Sequence, residues 1–284
     1  MKFYDAHIHF YSPYPSDELK RIFDLLEGMG LTGFNALVFA EFPPEMDTVL
    51  KMIPGAYHPH ATQQALQNNH DPFPLFRLAG DLKIIPFVDG RFIENEIEYK
   101  IRRFSEKGFQ GLKLLYVPEE DPENRIGGME QAFGRTLKQS EAITSRLIDS
   151  ACSEGMWVLL HADLKKYGEF VTEMIRSHLR THFNIAHFGS SRKAMSLLLD
   201  IYPNCYTDLS SLTPAMERDP DTYRRFLIEY QDRVLFGSDA LIGQPEHVQS
   251  TLEFIHRFLD NEAVFHKLSY KNYLRFQGIS GETE

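Results

Sequence analysis

The segment that decides the fold is Asp5-Ala6-His7-Ile8-His9-Phe10, which lies in a strand-like run close to the start of the chain. Side chains alternate between the two faces of a strand, so His7 and His9 point to the same side. If the strand belongs to a closed barrel, that side is the interior, where two imidazoles can bind one metal ion. Two hydrogen-bonded histidines at a strand end would give the same short pattern. The interpretation as a metal site therefore needs support from other parts of the chain.

Three further strings place a metal-binding side chain at the carboxyl end of a predicted strand. They are Val158-Leu159-Leu160-His161-Ala162-Asp163, Asn184-Ile185-Ala186-His187-Phe188-Gly189 and Leu235-Phe236-Gly237-Ser238-Asp239-Ala240. The carboxyl ends of parallel strands in a closed barrel share one rim. His161 is expected as a third histidine ligand, whereas His187 is expected either to bind a second ion or to hydrogen-bond the substrate. Asp239 is expected to bind the ion and to accept a proton from its water. Its alternative role is that of a helix N-cap.

Strand-like and helix-like segments alternate along the whole chain. Eight strands are predicted, at residues 2–10, 34–40, 82–88, 110–116, 156–161, 183–187, 205–209 and 233–238. Helices are predicted between them, including a long one at residues 214–230. The pattern is typical of an α/β fold, a TIM (β/α)8 barrel. We expect a single domain over residues 1–284, with an insertion after strand 2 and a long loop after strand 4. An open doubly wound sheet is the alternative, but it would separate the first and last strands.

Composition excludes several classes of protein. The 30 basic and 40 acidic residues give a net charge of −10, which argues against a protein that follows nucleic-acid phosphates. No apolar run is long enough to cross a membrane. Two cysteines form neither a disulfide framework nor a thiolate zinc site. We therefore expect a cytoplasmic protein that binds a small-molecule substrate, and the sequence leaves a homo-oligomer open.

The combination of motifs resembles the amidohydrolase superfamily, whose members carry a His-x-His pair on strand 1, histidines on strands 5 and 6, and an aspartate on strand 8. The Asp-Ala-His-Ile-His opening and the Phe-Gly-Ser-Asp close look most similar to the amidohydrolase-related branch. This resemblance implies a mononuclear site formed by His7, His9, His161 and Asp239, with His187 as a catalytic residue. It also implies a divalent ion, for which zinc is expected and manganese, iron and cobalt are alternatives.

Lys113 lies in Gly111-Leu112-Lys113-Leu114-Leu115, at the end of predicted strand 4. Superfamily members with two ions carry a carboxylated lysine on this strand, and it bridges the ions. A free ammonium would repel a cation, so Lys113 must be carboxylated, paired with a carboxylate or directed at an anionic group of the substrate. We expect one ion and an uncarboxylated Lys113, and a second ion would require its carboxylation.

Four further residues are candidates for the rim of the site. Arg91 follows strand 3 and Tyr116 ends strand 4, so both are expected to face the pocket and bind substrate. A surface ion pair is an equally good interpretation of Arg91. Arg125 lies in the long loop, where it would reach the substrate if that loop closes as a lid. Asp208, on strand 7, is expected to orient a ligand histidine, although it would also suit a turn or an N-cap.

Two reactions and one binding role are compatible with these residues. The first is metal-dependent hydrolysis of an ester, lactone or amide, with Asp239 as the general base. The second is non-oxidative decarboxylation of a small aromatic or unsaturated acid, for which the same ligands would serve. The third is a non-catalytic barrel that binds a ligand. That role predicts missing ligand positions, whereas every ligand position in this chain is filled.

Overall fold

A computed structural model describes residues 1–279 of the chain, whose centre is one curled sheet of parallel strands. The order of strands in the sheet is β8-β7-β6-β5-β4-β3-β2-β1-β9. From β1 to β8, strands that are consecutive along the chain are therefore neighbours in the sheet, and β9 pairs with β1. Their bounds are β1 Phe3–His9, β2 Leu31–Val38, β3 Lys83–Asp89, β4 Gly111–Tyr116, β5 Trp157–Ala162, β6 Phe183–Ile185, β7 Cys205–Asp208, β8 Val234–Leu235 and β9 Ala240–Leu241.

Helices cover the outside of the sheet and both of its ends. Four short turns of 3-10 or π type accompany them, at Gly55–Tyr57, Arg77–Ala79, Ala186–Ser190 and Lys267–Lys271. The α-helices are α1 Ser16–Gly28, α2 Met46–Lys51, α3 Gln63–Asn69, α4 Phe73–Phe76, α5 Ile97–Lys107, α6 Gly128–Phe133, α7 Leu137–Ser153, α8 Leu164–Ser177, α9 Arg192–Ile201, α10 Thr213–Arg218, α11 Pro220–Glu229, α12 Pro245–Leu259, α13 Glu262–His266 and α14 Asn272–Phe276.

The sheet closes into a ring through the pairing of its first and last strands. In β9, Ala240 pairs with Ile8 of β1 in parallel register. Just before β9, the amide of Asp239 donates to the carbonyl of His7 at 2.9 Å. Just after β8, the carbonyl of Phe236 accepts a hydrogen bond from the amide of Ala6 in β1 at 2.8 Å. These contacts confirm a single TIM-barrel domain and exclude the open sheet.

Two predicted elements are interrupted in the structure. The eighth strand of the barrel consists of β8 and β9, because Asp239 adopts a left-handed φ of 62° that breaks the strand between them. The strand predicted over residues 233–238 therefore coincides with β8 but is shorter than expected, and β9 lies beyond its predicted end. The predicted helix over residues 214–230 is divided into α10 and α11 at Asp219, the residue before Pro220, since a residue before proline is disfavoured in helical geometry.

The two long connections at the carboxyl ends of the strands pack against each other. The insertion after β2 carries α2 to α4, and the loop after β4 carries α6. The amide of Gly55 in the insertion donates to the carbonyl of Asn124 in the loop at 2.9 Å. The amide of Gly127 donates back to the carbonyl of Lys51 at 2.8 Å. These two connections span residues 39–82 and 117–136.

Across residues 1–279, no helix has the length and apolarity needed to cross a membrane.

The amino end of the barrel is closed by α14 and a buried hydrogen-bond network. Asn35 of β2 donates to the carbonyl of Ala6 at 3.1 Å. Its carbonyl oxygen accepts from the Tyr273 hydroxyl at 2.8 Å and from the Gln277 amide at 2.6 Å. The Tyr273 ring also stacks on Tyr4 of β1, with ring centroids 4.5 Å apart. Asn35 thus ties the end of the described chain to the first two strands.

Replacing Asn35 by alanine should lower the free energy of unfolding by about 2–4 kcal/mol, because several buried polar groups lose their partner at once. Chemical denaturation measures this change. The control is Asn124→Ala, which removes an exposed side-chain hydrogen bond to Asp121 and should cost less than about 1 kcal/mol. Equal losses in the two variants would show that the Asn35 network does not stabilise the barrel.

Candidate metal centre

Three side chains meet at the carboxyl end of the barrel, where β1 lies beside the turn that precedes β9. The Nε2 atom of His9 is 3.1 Å from Oδ1 of Asp239, and the Nε2 atom of His7 is 3.3 Å from the same oxygen. One donor atom from each residue lies within 4.8 Å of the other two. The exposed fraction of the side chain is 1% for His7, 6% for His9 and 11% for Asp239. Two nitrogens and one carboxylate oxygen of this spacing fit a divalent ion.

Burial gives these residues the protonation states in which they bind metal. It lowers the pKa of the His9 imidazole to about 4 and also lowers the pKa of His7. Burial alone would raise the pKa of Asp239, but the adjacent imidazoles of His7 and His9 hold it well below its ordinary value. Both histidines are therefore neutral and the aspartate is ionised at neutral pH.

Asp208 fixes the orientation of His7. The Nδ1 atom of His7 is 3.0 Å from Oδ2 of Asp208, so Nδ1–H donates and Nε2 faces the cluster. The same carboxylate accepts from the side-chain amide of Asn184 at 2.8 Å. Glycine at position 237 lets the eighth strand approach β1 closely, because a Cβ atom there would lie 3.0 Å from the Cβ atom of His7 and would push it by a few tenths of an ångström. The sequence singled out Asp208 for a contact of this kind.

His161 lies near the end of β5 and His187 in the turn that follows β6. The rings of His187 and His7 have centroids 5.3 Å apart, and those of His161 and His187 are 5.1 Å apart. Burial, followed by the nearby His187 ring, holds the pKa of His161 well below its ordinary value. His187 sits in a left-handed turn with φ of 54°, where its Nδ1 is 2.8 Å from the carbonyl of Ser210. His161 is outside the group of three, so its role as a ligand stays a prediction.

Lys113 of β4 is buried beside this group. Its ammonium nitrogen is 3.3 Å from Nε2 of His7, and the residue is 2% exposed. Burial lowers the pKa of Lys113 to about 8. The amine therefore lies beside a candidate ligand, although Lys113 is the third residue of β4 and not at its end as expected; its role in binding substrate stays a prediction.

The other sequence candidates occupy three different environments. Arg91 is buried, and its guanidinium forms two hydrogen bonds to Asp89, at 2.8 and 2.5 Å, and one to the carbonyl of Met52 at 2.7 Å. The two guanidinium nitrogens that could bind a substrate carboxylate together therefore already bind the carboxylate of Asp89. Arg125 is exposed and lies against Gly55 of the insertion.

Tyr116 does not face the pocket as expected. It is the last residue of β4, and its ring packs against Tyr167 and Phe170, with centroids 5.2 and 4.7 Å away. Lys113 on the same strand points into the barrel. Because side chains alternate along a strand, residues three apart face opposite sides. The structure therefore places Tyr116 between β4 and α8, away from the three-residue group.

Sequence reasoning missed three hydroxyl groups that hold the site. The Ser211 hydroxyl donates to Oδ2 of Asp239 at 2.6 Å, and the Tyr57 hydroxyl donates to the carbonyl of Asp239 at 2.9 Å. The Ser210 hydroxyl lies 2.7 Å from Nδ1 of His187. Both serines follow Asp208 at a strand end, which was a usable signal. Tyr57 comes from the insertion, where no sequence pattern indicated its role.

A TIM barrel with this cluster at its rim defines a class of metal-dependent enzymes, and comparison with known families places the chain within it. The amidohydrolase family model matches residues 4–278, so the chain belongs to the amidohydrolase family. This finding confirms the resemblance to the amidohydrolase superfamily and supports a metal-dependent hydrolase. No curated protein matches the sequence significantly.

Solved structures with similar folds are distant in sequence. One is provisionally assigned as a 2-pyrone-4,6-dicarboxylic acid hydrolase from Pseudomonas putida, with a TM-score of 0.59, 15% identity and 99% of both chains covered. A TatD family hydrolase from Entamoeba histolytica has a TM-score of 0.61 at 8% identity, again with 99% of both chains covered. A provisionally assigned metal-dependent hydrolase from Lactobacillus casei has a TM-score of 0.51 at 11% identity, covering 98% of this chain and 95% of that one. At such identities the likeness shows the fold alone.

Replacing Asp208 by asparagine should weaken the affinity for a divalent ion by about 10–100-fold, because His7 loses the carboxylate that orients it. Competition with a chromogenic chelator measures the affinity. The control is Asp163→Asn, which keeps an oxygen able to cap α8, where Asp163 accepts from the amide of Lys165. The same affinity in Asp208→Asn and the control would contradict a role of Asp208 in metal binding.

Proposed function

We propose that the protein hydrolyses an ester, lactone or amide bond in a small molecule, with Asp239 as the general base and one divalent ion. The observation that carries this proposal is the position of Asp239. Its Oδ1 atom faces the imidazoles of His7 and His9, while Oδ2 accepts from Ser211, and its side chain is the most exposed of the three. One carboxylate is thereby shared between the candidate ion and the open side of the site.

The ion would be held by His7, His9 and Asp239, with His161 as the fourth ligand. Histidine nitrogens and a carboxylate oxygen suit zinc, and manganese, iron and cobalt accept the same donors. When bound, the ion supplies a coordinated water of lowered pKa and polarises the substrate carbonyl. A single ion is proposed because an uncarboxylated Lys113 has no oxygen that could bridge two ions. Carboxylation of Lys113 would supply such a group and allow a second ion.

Proton transfer is assigned to Asp239. Its carboxylate is ionised at neutral pH, since the neighbouring imidazoles keep its pKa low. It can therefore accept a proton from the attacking water and pass it to the leaving group. The Ser211 hydroxyl holds Oδ2 in one position through that transfer.

His187 and Lys113 are proposed to stabilise the negative charge that develops on the substrate oxygen. The carbonyl of Ser210 takes the Nδ1–H of His187, which leaves Nε2 as the atom available to the substrate. Lys113, whose pKa burial lowers to about 8, still carries its proton at pH 7. A buried ammonium and a fixed imidazole act strongly on such a charge, because water does not screen them.

With metal bound, Asp239→Asn should lower kcat by about 10²–10⁴-fold, because asparagine cannot accept the proton. Initial rates of ester and lactone hydrolysis measure this, with metal content determined for each sample. Asp163→Asn is again the matched control and should retain the wild-type rate. Full turnover by metal-loaded Asp239→Asn would rule out the general-base role.

A panel of small esters, lactones and amides should reveal hydrolysis, measured as product release with no evolution of carbon dioxide. A pyrone, which is a cyclic ester, belongs in the panel because one structural neighbour is assigned as a hydrolase of a pyrone dicarboxylic acid. A parallel panel of aromatic and unsaturated acids tests decarboxylation. Carbon dioxide release from those acids, together with no hydrolysis, would contradict the proposal and favour a lyase.

A further inference from the structure

Tyr11 carries a buried hydroxyl that the described protein leaves without a hydrogen-bond partner. It follows His9 by two residues, just beyond the end of β1, and it is 2% exposed. Within residues 1–279, no side chain or backbone group lies in hydrogen-bonding position to its oxygen. Buried hydroxyls are nearly always paired, because an unpaired one costs stability. A water molecule or an atom of a bound ligand could supply the partner that the described residues do not provide for Tyr11.

The surroundings of Tyr11 place this hydroxyl on the reaction side of the barrel. Its ring centroid is 5.3 Å from that of His9 and 6.4 Å from that of Tyr57, and it stacks on Phe39 at 4.9 Å. The guanidinium of Arg91 lies over the Phe39 ring, 4.7 Å from its centroid, and forms an ion pair with Asp89. Tyr11 is thus a neutral donor in an aromatic wall next to a metal-ligand candidate.

Tyr11 and His187 flank the ligand pair from opposite sides. His187 contacts the ring of His7, whereas Tyr11 contacts the ring of His9. If the scissile bond of the substrate lies near His7 and His9, the substrate would contact Tyr11 through a group at some distance from that bond.

We propose that the Tyr11 hydroxyl forms a polar subsite that donates a hydrogen bond to an acceptor oxygen of the substrate. That oxygen belongs to a carboxylate or a carbonyl group, and the test distinguishes the two. The inference rests on the proposed hydrolase function and extends it to substrate specificity. Tyr116 offers an internal comparison, because among residues 1–279 its buried hydroxyl also has no hydrogen-bond partner, but its ring lies on the outer side of the barrel.

The test compares Tyr11→Phe with Tyr116→Phe in the full-length, metal-loaded protein. The probes are 4-nitrophenyl butyrate and the mono-4-nitrophenyl ester of glutaric acid, which differ in a terminal carboxylate. Tyr11→Phe should lower kcat/KM by about 10–100-fold, as expected for the loss of a hydrogen bond to a substrate oxygen. Loss only with the glutarate ester assigns the oxygen to a carboxylate, and equal loss with both assigns it to the ester carbonyl. Tyr116→Phe should match the wild type, and wild-type kinetics in Tyr11→Phe would overturn the proposal.

Thermal unfolding separates this role from a structural one. Because Tyr11 has no protein partner, Tyr11→Phe should keep the wild-type midpoint or raise it, with unchanged metal content. A lower midpoint would reveal a structural hydrogen bond and overturn the proposal. If the wild type hydrolyses neither ester, hydrolysis of such esters is refuted, and calorimetric titration with glutarate and with butyramide then decides. At least one should bind about ten-fold more weakly to Tyr11→Phe. Equal affinities, or no binding to the wild type, would overturn the subsite.

Discussion

Every feature of the candidate site depends on the pairing of the first strand with the last. Two main-chain hydrogen bonds, Ala6 to Phe236 and Asp239 to His7, join segments more than 200 residues apart in the sequence. They bring the carboxylate of Asp239 to 3.1 Å from the imidazole of His9. Neither segment forms a metal site alone, since one supplies only nitrogen and the other only oxygen. The closed barrel is thus the condition for the chemistry as well as for the fold.

The site is maintained against the cost of burying charge. Asp208, Asp239 and Lys113 lie almost out of contact with water. Each is acceptable there because partners satisfy it: imidazoles, serine hydroxyls and backbone amides surround the carboxylates. Burial keeps the histidines neutral, whereas the neighbouring imidazoles and hydrogen bonds keep the aspartates ionised in spite of burial. Protonation suited to metal binding is therefore a consequence of how the barrel packs, and removing one partner would leave a buried charge unpaired.

The sequence predicted the parts of the site that follow from strand geometry. Alternation placed His7 and His9 on one face, and the shared rim of parallel strands placed Asp208 and Asp239 near them. Alternation also contains the reason why the expectation for Tyr116 was wrong, because a residue three positions from an inward Lys113 must face outward. What the sequence could not provide were contacts made by irregular backbone. The break before β9, the reach of Ser211 to Asp239 and that of Tyr57 from the insertion depend on tertiary packing rather than on a periodic pattern.

Binding of one divalent ion by His7, His9 and Asp239 is tested most directly by a crystal structure of the metal-loaded protein, with anomalous diffraction recorded at the absorption edge of that metal. We expect one strong peak at about 2.0–2.2 Å from Nε2 of His7, Nε2 of His9 and a carboxylate oxygen of Asp239. An ion bound elsewhere, with these three donors still facing one another, would contradict it. So would a protein that takes up no divalent ion while its barrel is intact.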